Sequence, residues 1–100
     1  MIFYISGAMT GKPNYNADAF TIADVRLSQQ GHTVLNPARL IPMVKPEAIE
    51  HEDYLKIDFE MIRLCDAVFV LRNSEESKGS KKEIEYAKML DKKIIYEVEK

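Results

Sequence analysis

Apolar residues fall along this chain in two kinds of run. Short, nearly unbroken ones, Ile2-Phe-Tyr-Ile5, Thr33-Val-Leu35, Ala67-Val-Phe-Val-Leu71 and Lys93-Ile-Ile-Tyr96, read as strands. The third is apolar without alternation, as expected of a central parallel strand covered on both faces. Between these runs apolar positions recur every three or four residues, the helical period. The first helical stretch runs from about Asn16, a good N-cap, to about Gln30, with Phe20, Ala23 and Leu27 toward a sheet and Gly31 as its stop. The second runs from about Asp53 to Leu64. Its polar side is Lys56, Glu60 and Arg63, and its apolar side Tyr54, Leu55, Ile57, Met61, Ile62, Leu64 and Cys65. The third starts around Ser80 and ends near Asp91, with Ile84, Ala87 and Leu90 facing the sheet. Residues 38–49, carrying Pro42 and Pro46, predict a surface loop placed as a flap over a site, and Arg72–Gly79 a polar, mobile one. Glu97–Lys100 reads as a polar tail.

Strands alternating with helices predict an α/β fold. The expected form is a doubly wound, flavodoxin- or Rossmann-like three-layer sandwich around a four-stranded parallel sheet of order 2-1-3-4. One hundred residues suit one domain spanning 1–100. In that topology the strand order reverses between the first and third strands. The Gly7 loop and the Ser77–Gly79 loop then open into one crevice, with Tyr4, Asp58, Ser77 and Glu83 around it.

Two carboxylates stand out against this pattern. Asp58 falls near the middle of an apolar arc, and Glu83 lines up with Ala87 and Leu90 at i, i+4 and i+7. A carboxylate on such a face is unfavourable unless something uses it. Structural uses are open for both. Asp58, near the start of its helix, can complement the positive helix end or bond a neighbouring loop. Ser80-x-x-Glu83 has the form of a capping box.

The loop Gly7-Ala-Met-Thr-Gly-Lys-Pro13 invites comparison with an ATP-binding phosphate loop, but three residues separate its glycines and Pro13 stands where a Ser or Thr is needed. A glycine-lined turn that touches a ligand through its amides, Thr10 and Lys12 stays open beside a purely structural turn. Ser6, Gly7, Ala8, Thr10 and Lys12 on one side, and Ser77, Lys78 and Gly79 on the other, are the candidate ligand contacts. His32 and His51 lie in different loops without a ligand-spaced partner and read as surface residues, so no metal is implied.

Bulk composition removes other classes. A net charge of -2, with lysines spread among acids, makes no case for a nucleic-acid polymer or a membrane surface. A single cysteine, Cys65, excludes an internal disulfide framework and fits a reducing, cytoplasmic setting. No apolar run approaches the roughly 18 residues of a membrane span, and the N-terminus lacks signal-peptide features.

Three motifs in order resemble one family. Tyr4-Ile-Ser-Gly-Ala8, Asp58 eight residues before Asp66, and Ser77-x-Gly-x-x-x-Glu83 followed by Ile84 and Tyr86-Ala87 are similar to the nucleoside 2-deoxyribosyltransferase-like superfamily. The small, phage-type members are the nearest in character, and the resemblance runs from Ile2 to Tyr96. It implies that Glu83 is a carboxylate nucleophile attacking C1′ of deoxyribose, that Tyr4 holds it, and that Asp58 protonates or orients the leaving base. It also implies that Gly79 admits the sugar, that no cofactor takes part, and that a homodimer or higher oligomer completes the site. The implied activity is cleavage or exchange of the N-glycosidic bond of 2′-deoxynucleosides or their 5′-monophosphates. Ser77 in place of a common aspartate resembles the monophosphate-hydrolysing branch. That branch's first-loop serine and arginine are replaced here by Ala8 and Thr10, leaving Lys12 or Lys78 as the available charge. Glu85 replaces a usual glycine, and the family's fifth region does not follow the fourth strand. Against catalysis stand a nucleotide- or nucleotide-sugar-binding module and a partner-binding protein. Convergence of Tyr4, Asp58 and Glu83 on one pocket favours the enzyme.

Overall fold

The computed structural model describes residues 1–72 and 74–98. Strands β1 (Ile2–Ser6), β2 (Thr33–Leu35), β3 (Ala67–Val70) and β4 (Lys93–Tyr96) pair in parallel in the order β2-β1-β3-β4. Helices α1 (Ala17–Gln29), α2 (His51–Leu64) and α3 (Lys78–Met89) connect them. This is the sheet order that the strand–helix alternation predicts.

The pleat divides the core into two layers. Phe3 and Ile5 of β1 and Ala67 of β3 pack with Phe20, Ala23 and Leu27 of α1. Tyr4 of β1 and Val68 and Val70 of β3 project the other way, against Ile62 of α2 and Ala87 of α3. Phe59 and Tyr86 stack with ring centroids 4.4 Å apart, holding α2 against α3. The two central strands are therefore covered on both sides, which is why β3 shows no polar alternation.

Several local expectations are corrected. Helix α3 begins at Lys78, and its cap is Ser77, whose Oγ accepts from the Ser80 amide at 3.1 Å. Ser80 therefore lies inside the helix, and Ser80-x-x-Glu83 is not a capping box. Ser77 provides the same cap one turn earlier, where Gly79 is harmless among amides that lack helical partners. Helix α2 starts at His51, so Asp58 sits in mid-helix, away from the positive end. Asn16 has φ 63° and makes no cap; its amide donates to the Ala8 carbonyl at 3.0 Å. Ile57, Leu64 and Leu90 are exposed, because the apolar arcs of α2 and α3 are wider than the surface they cover. The segment 38–49 takes in most of one 3-10 turn, Pro37–Leu40, and all of a second, Pro46–Ala48. The loop after β3 is tied down where Ser74 is buried and its Oγ accepts from the Ala8 amide at 3.1 Å. Asn73 of that loop and Glu99 and Lys100 of the expected tail lie outside the described residues.

Asp24 ties α1 to the segment after β2. Its buried carboxylate accepts from Ser28 Oγ at 3.1 Å, Asn36 Nδ2 at 3.0 Å and Arg39 Nε at 3.0 Å. Removing it strands the buried Asn36 amide. Asp24→Ala is expected to lower unfolding free energy by about 2 kcal/mol in denaturant titrations. Arg39→Ala is expected to lose less than about 1 kcal/mol, because the Arg39 head is largely in water. Equal losses would contradict this division.

Candidate active site

At the C-terminal edge of β1 and β3, where the strand order reverses, a cavity of about 770 Å³ opens. Such a volume accommodates a nucleoside-sized ligand. Its floor is built by β-strand periodicity. Tyr4 and Ser6, two residues apart on β1, project toward α3 and meet one residue, Glu83. Tyr4 OH donates to Glu83 Oε2 at 2.9 Å, and Ser6 Oγ donates to Glu83 Oε1 at 2.7 Å. Ser80, one turn before Glu83, shares a 2.7 Å hydrogen bond with Ser6. Both oxygens of a carboxylate that is only 5% exposed are thus held by hydroxyl donors, which fixes its rotamer.

Asp58 approaches the same point from α2. It is buried, and Oδ1 has no hydrogen-bond partner among the described residues. Burial pushes Glu83 well above the ordinary carboxylate range, and the neighbouring Asp58 charge pushes it further. Burial raises Asp58 as well, opposed by hydrogen bonding with Glu83 and Tyr4 and by His51. Burial and the repulsion between two neighbouring carboxylates both favour a proton on the pair. Burial and both acids also raise Tyr4 well above its usual value, keeping it a protonated donor.

Helix α2 lines one wall with His51, Tyr54, Leu55 and Asp58, spaced i, i+3, i+4 and i+7. The loop from Gly7 to Lys12 lines another, and Ser77, Lys78 and Gly79 face it. A Cβ on Gly7 would stand 2.6 Å from Leu71 Cδ1, so glycine lets the chain turn out of β1 against β3. A Cβ on Gly79 would stand 3.6 Å from His51 and 3.9 Å from Ser77 Oγ, ordinary contact distances, so this position has room on the cavity side. After Pro13, Asn14, Tyr15 and Asn16 adopt φ of 49°, 55° and 63°. This left-handed geometry costs about 1–2 kcal/mol per residue and needs outside restraint.

The cavity thus gathers Tyr4, Asp58, Glu83, Gly7, Ala8, Thr10, Lys12, Ser77, Lys78 and Gly79. Ser6 differs from the ligand contact expected of it. It is fully buried behind Glu83 and positions the carboxylate. His51 is exposed, as expected of a surface residue, but it lies at the start of α2 instead of in a loop, and it lines the cavity. Met9, Tyr15, Phe20, Glu47, Tyr54 and Leu55 also line it without having been singled out. His51 would have been found by its i–7 spacing from Asp58, had the helix been read from residue 51. Glu85 points to solvent and does not disturb packing beside Glu83. No group of three or more His, Cys, Asp or Glu residues among the described residues is arranged to hold a metal.

The raised pair sets a sign for pH dependence. A carboxylate whose pKa rises on folding contributes stability that is fully present below its unfolded value, near 4.5, and is lost as pH climbs through the folded value. Glu83→Gln is therefore expected to melt above the unaltered protein by a margin that grows as pH rises above the unfolded value near 4.5. A margin constant with pH in calorimetry would contradict the raised Glu83 pKa.

Comparison with known proteins places this architecture. No curated protein sequence matches the chain. Among solved structures, a 2-deoxyribosyltransferase from the psychrotolerant bacterium Bacillus psychrosaccharolyticus superposes with a TM-score of 0.75 at 20% identity, covering 100% of this chain and 77% of that one. The 2-deoxyribosyltransferase of Leishmania mexicana gives 0.72 at 22% identity, over 95% of this chain and 62% of that one. The CMP N-glycosidase BcmB of Clostridium botulinum gives 0.67 at 20% identity, over 96% and 70%. These likenesses establish the fold, which this chain shares with the three enzymes. By its sequence, over residues 1–96, the chain belongs to the family described as a domain of unknown function, DUF4406.

Proposed function

We propose that the protein cleaves or exchanges the N-glycosidic bond of 2′-deoxynucleosides or their 5′-monophosphates. The observation that carries this reading is the convergence of Tyr4, Asp58 and Glu83 at the floor of one cavity. Glu83, with its oxygens held by Tyr4 and Ser6, attacks C1′ while the C1′–N bond breaks. Asp58 gives the shared proton to the departing base, leaving a glycosyl ester on Glu83. Water or a second base then attacks C1′, its proton passes to Asp58, and the carboxylate is released.

The protonation state suits this division. Glu83 accepts two hydroxyl hydrogen bonds, whereas Asp58 Oδ1 accepts none from the described residues. A base nitrogen that accepts from Asp58 draws the proton there and leaves Glu83 charged. Activity then requires one proton on the pair and falls off on both sides of that state. Lys12 and Lys78 line the cavity and supply charge for a 5′-phosphate, with the Ser77 hydroxyl beside them. A second subunit closing the mouth, as a homodimer or higher oligomer, belongs to the same proposal. So does a cytoplasmic setting, supported by the free, buried Cys65. Among the described residues, no helix is long and apolar enough to cross a membrane.

The convergence supports catalysis over a module that only binds nucleotides or nucleotide-sugars. The direct test incubates the protein with the four deoxynucleosides and their monophosphates, with and without added adenine, and separates the products. Free base alone indicates a hydrolase, and a new nucleoside a transferase. Glu83→Ala is expected to lose at least about 1,000-fold in rate, and Asp58→Asn about 100-fold. No turnover, or turnover that survives Glu83→Ala, would sink the mechanism.

A further inference from the structure

Two segments meet over the catalytic cavity through one side-chain contact. Tyr15, the middle residue of the left-handed stretch after Pro13, donates its hydroxyl to Glu47 Oε2. Glu47 belongs to the 3-10 turn Pro46–Ala48, in the segment leading into α2. Both side chains line the cavity, on its outer side from Asp58 and Glu83. Each segment is separately anchored away from this contact. On one side the Asn16 amide holds the Ala8 carbonyl at 3.0 Å. On the other, Tyr54 OH donates to the Val44 carbonyl.

We propose that Tyr15 and Glu47 form a latch across the cavity mouth that decides whether water or a second nucleobase takes the sugar from Glu83. This rests on the glycosyl ester proposed above. With the latch closed, the strained Tyr15 segment and the Glu47 turn cover the floor, and apolar side chains such as Met9, Phe20 and Leu55 enclose the space vacated by the first base. A planar base fits such a space better than disordered water does. The attacking base nitrogen forms the new C1′–N bond, the ester C1′–O bond breaks, and the nitrogen's proton goes to Asp58. With the latch open, water attacks C1′ in the same way and free deoxyribose leaves. The left-handed backbone of residues 14–16 favours release once the hydroxyl–carboxylate bond is gone, so this contact favours the closed state across the mouth.

The test uses the whole chain with Tyr15→Phe, Glu47→Gln and the double variant. Two readouts are taken. Amide hydrogen exchange over residues 43–48 is expected to speed up about tenfold or more in each variant, as loss of one charge-assisted hydrogen bond implies. The ratio of new nucleoside to free deoxyribose, at fixed donor and acceptor base, is expected to fall about tenfold. The double variant should resemble either single one, because both remove the same bond. Unchanged exchange in both single variants, or effects that multiply in the double variant, would overturn the latch. An unchanged product ratio with faster exchange would overturn its role in acceptor choice. Absence of base release by the unaltered protein would instead count against the glycosidase reading, and the exchange measurement still decides whether the latch exists.

Discussion

The site depends on one carboxylate being held from the sheet. Glu83 reaches from α3 to β1, where Tyr4 and Ser6 occupy its two oxygens. A buried carboxylate without such donors would lose far more to desolvation than packing returns. With them it joins the helix to the central strand and stays at the floor of the cavity. The periodicity of two along β1 is what makes this possible. It places two hydroxyls on the same face, while Phe3 and Ile5 fill the opposite layer.

Asp58 supplies the tension. It has the burial of a core residue but leaves one oxygen without a partner among the described residues, and its charge makes Glu83 harder to ionise. As a stability device this arrangement is poor. It suits the proposed chemistry, in which a ligand atom that bonds Asp58 frees Glu83 to carry charge. The same feature that lowers stability at neutral pH is the one that the proposed chemistry uses, a compromise common at functional sites.

Much of the architecture was legible in the chain. The four apolar runs give the strands, and their alternation with helical periods gives the sheet order, because parallel pairs demand right-handed crossovers. The order in turn brings Tyr4, Asp58 and Glu83 to one edge. Helix starts were less legible. Ser77 and Ser80 offer equivalent caps, and only packing of Glu83 against Tyr4 and Ser6 selects the earlier one. Likewise α2 begins at His51, which moves that residue onto the cavity wall. The left-handed residues 14–16 carried only a partial signal. Asparagine tolerates this region better than other non-glycine residues, but Tyr15 between Asn14 and Asn16 does not, and its hydroxyl is tied to Glu47 while Asn16 is tied to Ala8.

The central claim is that Glu83 becomes covalently bonded to the sugar. A deoxynucleoside carrying fluorine at C2′ tests it most directly, because the electron-withdrawing substituent slows breakdown of the glycosyl ester. Intact-mass and peptide-level mass spectrometry should then find one fluorinated sugar attached at Glu83, discharged on adding a free base. Turnover of the ordinary substrate with no adduct, or an adduct on another residue, would contradict the account.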